Sequence, residues 1–215
     1  MTSEPKSVRS SLLRHRWFRA PVLGLVLAVL LVPVLSIVAN GVNPASATSR
    51  PNASVGRLAP TGTFTTTSDR TVSLDSYFGK RTTMVWFVVT GCASCVVSIP
   101  AVAQHLRELA HDHVHVLVLD LYGDLGSGRG AVTNLSVFAR AAAGSTFANA
   151  AWTWGLASKS LSYAYDPSGT PDEYFFVSSN RRITYENSVP VSTMSALLGK
   201  ATRFDSLRSA SLVNP

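Results

Sequence analysis

The sequence predicts an α/β domain, a central mixed sheet flanked by helices, with a small β unit ahead of it and one apolar helix of membrane length near the N-terminus. Between Met84 and Glu108 a run of β-branched and aromatic residues breaks at Gly91 and gives way to apolar residues at helical spacing. Val114–Asp120 (VHVLVLD) repeats the buried-strand pattern. Glu173–Val177 (EYFFV) and Arg182–Glu186 (RITYE) read as a hairpin that leads into a final helical pattern.

Residues 1–19 are polar and basic, with Lys6, Arg9, Arg14, Arg16 and Arg19 opposed only by Glu4, and predict a cytoplasmic tail. Residues 20–39 hold no charge and are long enough to cross a bilayer as a helix, in which Pro33 is tolerable. The basic flank predicts the N-terminus inside and the remainder outside, which makes the cell membrane or an extracytoplasmic space the expected location. Two outcomes stay open: an uncleaved anchor, or a signal peptide cut at the A-x-A pattern Ala45-Ser46-Ala47, giving a secreted or periplasmic protein. In either case the cysteines face a compartment where disulfides persist. Residues 40–54, rich in Asn, Pro, Ser and Ala, read as a linker.

Of 19 basic and 12 acidic residues, five and one lie in the first 19 positions, which leaves 14 and 11. A remaining charge of about +3 is ordinary for solubility, so the net charge of +7 does not argue for a nucleic-acid partner. The following domain, residues 55–203, opens with Thr63–Thr67 and Arg70–Leu74, a hairpin split by Ser68-Asp69. The central strand Met84–Thr90 and its helix come next, the helix burying Val96, Ile99, Val102, Leu106 and Leu109. Pro100 inside it removes a hydrogen bond. His111, His113 and His115 alternate into Val114–Asp120; a metal site on one strand face is conceivable, and a solvated helix end is the simpler reading.

Gly123–Gly130 (GDLGSGRG) reads as a loop, since its fit to G-x-G-x-x-A lacks both strand contact and a downstream acid. A helix is expected over Asn134–Ala143, a short edge strand over Ala150–Gly155 and a helical turn over Leu156–Tyr165. Asp166–Pro171 is a turn. Val191–Arg203 is a last amphipathic helix bearing Met194, Leu197 and Leu198, with residues 204–215 as a tail.

Cys92 and Cys95 are the only cysteines, spaced C-x-x-C where the strand turns into the helix. Free backbone N–H groups and the helix dipole gather there and favour a thiolate. A second cysteine three residues on can capture the mixed disulfide formed by the first. A structural role fits less well, because so short a loop gains little from cross-linking and a zinc site needs four ligands. Half a metal site and an inert pair are the other readings.

With strands and helices in the order ββαβαββα around this motif, the domain resembles the thioredoxin fold, and within it the membrane-anchored TlpA/ResA-like, AhpC/TSA-related group. The likeness rests on Gly56, Ala59-Pro60 and Phe64, then Val72-Ser73-Leu74 and Gly79-Lys80, then Phe87, Thr90, Cys92 and Cys95, then Pro100, and finally Thr170-Pro171. It implies Cys92 as nucleophile and Cys95 as resolving cysteine. It also implies Thr170 and Pro171 as a substrate-binding turn against the cysteines, with Pro100, Trp86 and Thr90 as structural neighbours of the site. Departures are clear. Gly91 and Ser94 replace a usual Trp and Pro, and Trp86 stands where thioredoxin carries a buried acid, with no Asp or Glu in that strand to replace it.

The resemblance implies a thiol–disulfide oxidoreductase acting on protein thiols and disulfides, needing no cofactor or metal beyond the Cys92–Cys95 disulfide. A membrane electron donor is a possible further partner. A peroxiredoxin-like peroxidase is the second reading, weakened because Thr90 lies two residues before Cys92, not three, and the motif's proline is missing. A copper-binding or metallochaperone module using the two cysteines and a histidine is the third.

Overall fold

The computed structural model describes residues 53–213, with side chains described through residue 203. The basic tail, the apolar segment 20–39 and nearly all of the linker lie outside the described residues. Among the described residues no helix is long and apolar enough to cross a membrane.

Seven strands form one sheet: β1 (Thr63–Thr66), β2 (Thr71–Ser73), β3 (Thr82–Val88), β4 (Val114–Asp120), β5 (Trp152–Ala157), β6 (Glu173–Val177) and β7 (Ile183–Ser188). Their spatial order is β2-β1-β5-β4-β3-β6-β7. β3, β4 and β5 run parallel to one another, and the pairs β1–β2, β1–β5, β3–β6 and β6–β7 are antiparallel. The parallel centre needs crossovers, which α1 (Ala93–His111) and α2 (Gly128–Ala143) supply. α3 (Lys159–Tyr165) and α4 (Pro190–Val213) complete the set.

Both faces of β3 and β4 are covered, which explains their unbroken apolar runs. Met84, Trp86 and Val88 point into a core shared with Ile99, Val102 and Leu106 of α1, Ala139 of α2 and Leu197 of α4. Val85 and Phe87 point the other way, onto Leu161 and Tyr165 of α3 and onto Leu74 and Phe64 of the β unit. One strand thus serves two cores, and its C-terminal end is fixed from above and below.

The fold class, the hairpin of β1 and β2, the central strand and helix, β4, and the pair β6–β7 match the sequence reading, with ends shifted by a residue or two. Several details differ. Val96 is nearly half exposed; Cys95 and Ser98 take its place on the buried face of α1. α2 begins at Gly128, not Asn134, so the end of the glycine-rich stretch forms its first turn. β5 is no edge strand, since β1 pairs along its outer side. Residues 156–157, read as helical, end β5, and the helix starts only at Lys159 behind the Ser158 cap, whose side chain accepts from the Leu161 N–H. The last helix continues to Val213, beyond the expected end at Arg203.

Of the three histidines, His115 alone enters β4, buried against Thr153 Oγ1 at 3.0 Å and beside the Tyr77 ring. Burial, reinforced by Arg81, pushes its pKa down to about 4, so it is neutral. His111 is exposed beside Asp112, and His113 takes a left-handed turn (φ 56°) between helix and strand.

Gly155 explains why β5 can lie inside the sheet. A Cβ there would overlap the Phe64 ring and press on the Thr65 carbonyl. Gly155→Ala is therefore expected to destabilise the domain by about 2–3 kcal/mol through overpacking, read as a lowered urea midpoint with an unchanged m-value.

Candidate active site

β3 ends at Val88, and the chain turns through Val89–Gly91, closed by the Cys92 N–H donating to the Val89 carbonyl at 3.1 Å. Cys92 is then the N-cap of α1: its backbone is extended (φ −81°, ψ 115°) and its sulfur accepts from the Cys95 N–H at 3.0 Å. The two cysteines form a disulfide with their Cα atoms 5.2 Å apart. Cys95 is fully buried, whereas Cys92 is partly exposed with Ser94 Oγ 3.2 Å from its sulfur. When the bond is reduced, the helix N-terminus and these donors favour negative charge on Cys92. One sulfur meets solvent and the other faces the core, which suits a nucleophile and a resolving thiol.

Pro100 lies on the exposed side of α1, inside the helix as expected. Thr90 is tied down by a carboxylate: its N–H and hydroxyl both donate to Asp124 Oδ2, at 2.7 and 2.8 Å. Beneath lies Asp120, buried at the end of β4, its pKa pushed up to about 8 by burial, by the charge of Asp124 and by a hydrogen bond shared with it. Asp120 therefore keeps its proton well above the usual carboxylate range.

The strand carrying Trp86 has no acid, yet the site does have one. Asp172, which follows Thr170-Pro171, is fully buried, and one of its carboxyl oxygens lies within 4.8 Å of both cysteine sulfurs. The Trp86 indole N–H donates to its Oδ1 at 2.9 Å, and the Ser98 hydroxyl donates to its Oδ2 at 3.1 Å. Burial raises its pKa, opposed by hydrogen bonds from Ser94, Trp86 and Ser98. Its backbone is clamped as well: its N–H donates to the Phe87 carbonyl, and its carbonyl accepts from the Val189 N–H, both at 2.8 Å. The residue sits at φ 73°, in the left-handed region that Asp, like Asn, adopts more readily than most side chains.

Trp86, Thr90, Cys92 and Cys95 are therefore gathered at one end of the sheet, and the Thr170-Pro171 turn delivers Asp172 to them. Glu173, the acid that sequence reasoning considered, instead faces a cavity of about 450 Å³ with Glu186, Tyr165 and Phe175. Sequence reasoning missed Asp172, which two signals could have found. A Trp in a fully buried strand needs an acceptor for its N–H, and the nearest acid to the proline turn is the residue after it. Among the described residues, Cys92, Cys95 and Asp172 are the one set of three potential metal ligands gathered this closely, and no histidine joins them.

Compared by sequence, the chain matches no family model and no curated protein. Compared by structure, it is similar to a putative protein disulfide isomerase from Bacteroides thetaiotaomicron (TM-score 0.56, 16% identity, covering 72% of this chain and 91% of that one). It is similar also to a putative thiol:disulfide interchange protein DsbE from Chlorobium tepidum (TM-score 0.52, 15% identity, covering 69% and 98%). A third is the thioredoxin domain of a thiol-disulfide oxidoreductase from Bacteroides vulgatus (TM-score 0.51, 15% identity, covering 68% and 99%). The domain has a thioredoxin-like fold, and it carries a C-x-x-C disulfide at the helix N-terminus that ends the central strand.

The raised pKa of Asp120 makes stability depend on pH. Between pH 3.8 and about 8 the folded state keeps a proton that the unfolded chain has released, so stability falls as pH rises through that window. Asp120→Asn removes this contribution while keeping a donor toward Asp124. The variant is expected to match wild type near pH 4 and to exceed it by on the order of 2 kcal/mol at pH 8, measured by urea unfolding across the range.

Proposed function

We propose that the chain is an extracytoplasmic thiol–disulfide oxidoreductase that exchanges disulfides with other proteins. The observation that carries this reading is the Cys92–Cys95 disulfide at the start of α1, with one sulfur exposed and the other buried. In the reducing direction the Cys92 thiolate attacks a sulfur of the partner's disulfide. That S–S bond breaks, its far sulfur leaves as a thiolate, and a mixed disulfide forms. Cys95 then attacks Cys92 Sγ, the partner's second sulfur leaves, and Cys92–Cys95 is restored. The partner gains two electrons and the dithiol loses them; oxidation of a partner runs the same steps backward.

The exposed side chains of Val96 and Val97 lie directly after the motif, and that of Val191 begins α4 beside Ser98. They offer apolar area on which a partner's extended chain can rest, with Thr170 and Pro171 as the binding turn. The proposed location outside the cytoplasm rests on the basic residues 1–19 and the uncharged residues 20–39, as anchor or as cleaved signal. A membrane protein that supplies electrons is the natural partner for a reductant held there.

In insulin reduction driven by dithiothreitol, Cys92→Ser is expected to fall to the rate without enzyme. Cys95→Ser is expected to accumulate a covalent adduct with partner proteins on a non-reducing gel. Insulin rates equal to wild type in Cys92→Ser would remove the proposal, whatever the fate of the adduct.

A further inference from the structure

We propose that the chain selects partners whose cysteine is flanked by a basic residue, an arginine or lysine side chain that enters the cavity beside β6 and β7 and meets Glu173 and Glu186. This rests on the oxidoreductase reading and adds to it the chemical class of the segment that is exchanged.

The register of the hairpin builds the cavity. Glu173 pairs with Ser188 and Phe175 with Glu186, and residues directly opposite on antiparallel strands share a face. These side chains point to the side of the sheet away from α1, onto which Tyr165 of α3 also packs. Together with Ala53 and Ser54 they enclose about 450 Å³. Small-ligand sites span about 300–1,000 Å³. The rings of Tyr165 and Phe175 suit the methylene stem of a long basic side chain, and the two carboxylates suit its head. Glu173 follows Pro171 by two residues, at most about 7 Å along the chain. A partner resting on the proline turn therefore brings the side chains next to its cysteine to this cavity.

The carboxylates have no cation of their own. Among the described residues neither Glu173 nor Glu186 belongs to an ion pair. The cations of the hairpin are committed elsewhere: Arg181 pairs with Asp75 at 2.8 Å, and Arg182 donates to the Gly56 carbonyl at 2.8 Å. Burial and the charges of Asp166 and Glu186 raise the pKa of Glu173, a crowding that a cation between the carboxylates relieves.

An independent observation lies at the other end of the same turn. Asp166 is 3% exposed; Ser168 donates to its Oδ1 at 2.7 Å, and its Oδ2 has no hydrogen-bond partner among the described residues. Asp166 lines a second recess, of about 130 Å³, with Tyr122 and Tyr163 exposed beside it. A buried carboxylate oxygen without a donor is costly, and a cationic donor is the group that best satisfies it. The rim of this recess already takes one cation, since Lys159 Nζ stands 5.8 Å from the centre of the Tyr163 ring. The chain as a whole carries a net charge of +7, so long-range charge does not draw basic segments to it. The acids at the two ends of the proline turn do so locally.

The test follows reduction of disulfide-linked peptides by the reduced full chain, read by stopped flow as release of a quenched fluorophore. The peptides differ only in the residues flanking cysteine, which are arginine, lysine, citrulline or glutamate. Citrulline keeps the shape of arginine and lacks its charge. The second-order rate constant is expected to be about 10-fold higher for arginine than for citrulline, with lysine near arginine and glutamate slowest. In the double variant Glu173→Gln, Glu186→Gln the arginine-to-citrulline ratio is expected to fall below about twofold. Equal rates for arginine and citrulline in wild type would overturn the proposal, and so would a ratio that survives in the folded double variant. If that variant does not fold, salt decides: the wild-type ratio should shrink at high ionic strength, and a ratio blind to salt would overturn the assignment. Failure of the oxidoreductase reading itself looks different, because no peptide is reduced. The cavity is then judged by fluorescence anisotropy of the same peptides, where equal affinity for arginine and citrulline would overturn it.

Discussion

The bond from the Trp86 indole N–H to the Asp172 carboxyl joins the central strand to the loop before β6, directly under the disulfide. Neither group is comfortable in an apolar core alone. An indole N–H left without an acceptor costs about 1–3 kcal/mol, and an unpaired carboxylate costs more. Together they satisfy each other, and Ser98 extends the arrangement by donating to the second carboxyl oxygen and accepting from the Val191 N–H. The end of β3, the first turn of α1, the proline loop and the start of α4 are thereby held to one another by polar contacts inside an otherwise apolar cluster. The site's geometry follows from that constraint.

The two sulfurs consequently meet different electrostatic surroundings. Cys92 sits at the dipole end of α1, partly in water, with an N–H and a hydroxyl turned toward its sulfur. All of these favour a thiolate. Cys95 is sealed in the core beside a carboxyl group, and both desolvation and a neighbouring negative charge favour its protonated form. In the exchange we propose, the first effect suits Cys92 to attack and the second suits Cys95 to resolve. The order of events in a two-cysteine exchange is thus set by position along one helical turn. The Thr90–Asp124–Asp120 chain holds the turn before Cys92, so a second, separate carboxyl system fixes the approach to the nucleophile without touching it.

Much of this was legible in the residues. The apolar period changes from two to three or four at Gly91, and that change alone located the helix N-terminus and hence the cysteine that caps it. β4 and the β6–β7 pair were legible because buried parallel strands read as continuous apolar runs and hairpins bring their own turn. What escaped was non-local. Nothing near Trp152 announces that β1, some ninety positions earlier, will pair along β5, and only the Phe64 ring over Gly155 shows how closely. The start of α2 escaped because Gly128 and Gly130 read as loop, while tertiary packing of Ala131, Val132 and Leu135 draws the helix across them. Asp172 escaped because it was sought on the strand that carries Trp86 and lies on the loop that faces it.

That last displacement has a physical logic. The space between the central strand and the loop after the proline turn holds one acid and one donor, bonded to each other. Thioredoxin, which this domain resembles, places the acid on the strand. Here the strand supplies the donor, as Trp86, and the loop supplies the acid, as Asp172. The acid thereby lies next to the segment proposed to receive the partner. Asp172 itself is fully buried, so a partner lying along Thr170 and Pro171 touches its neighbours and not its carboxyl group.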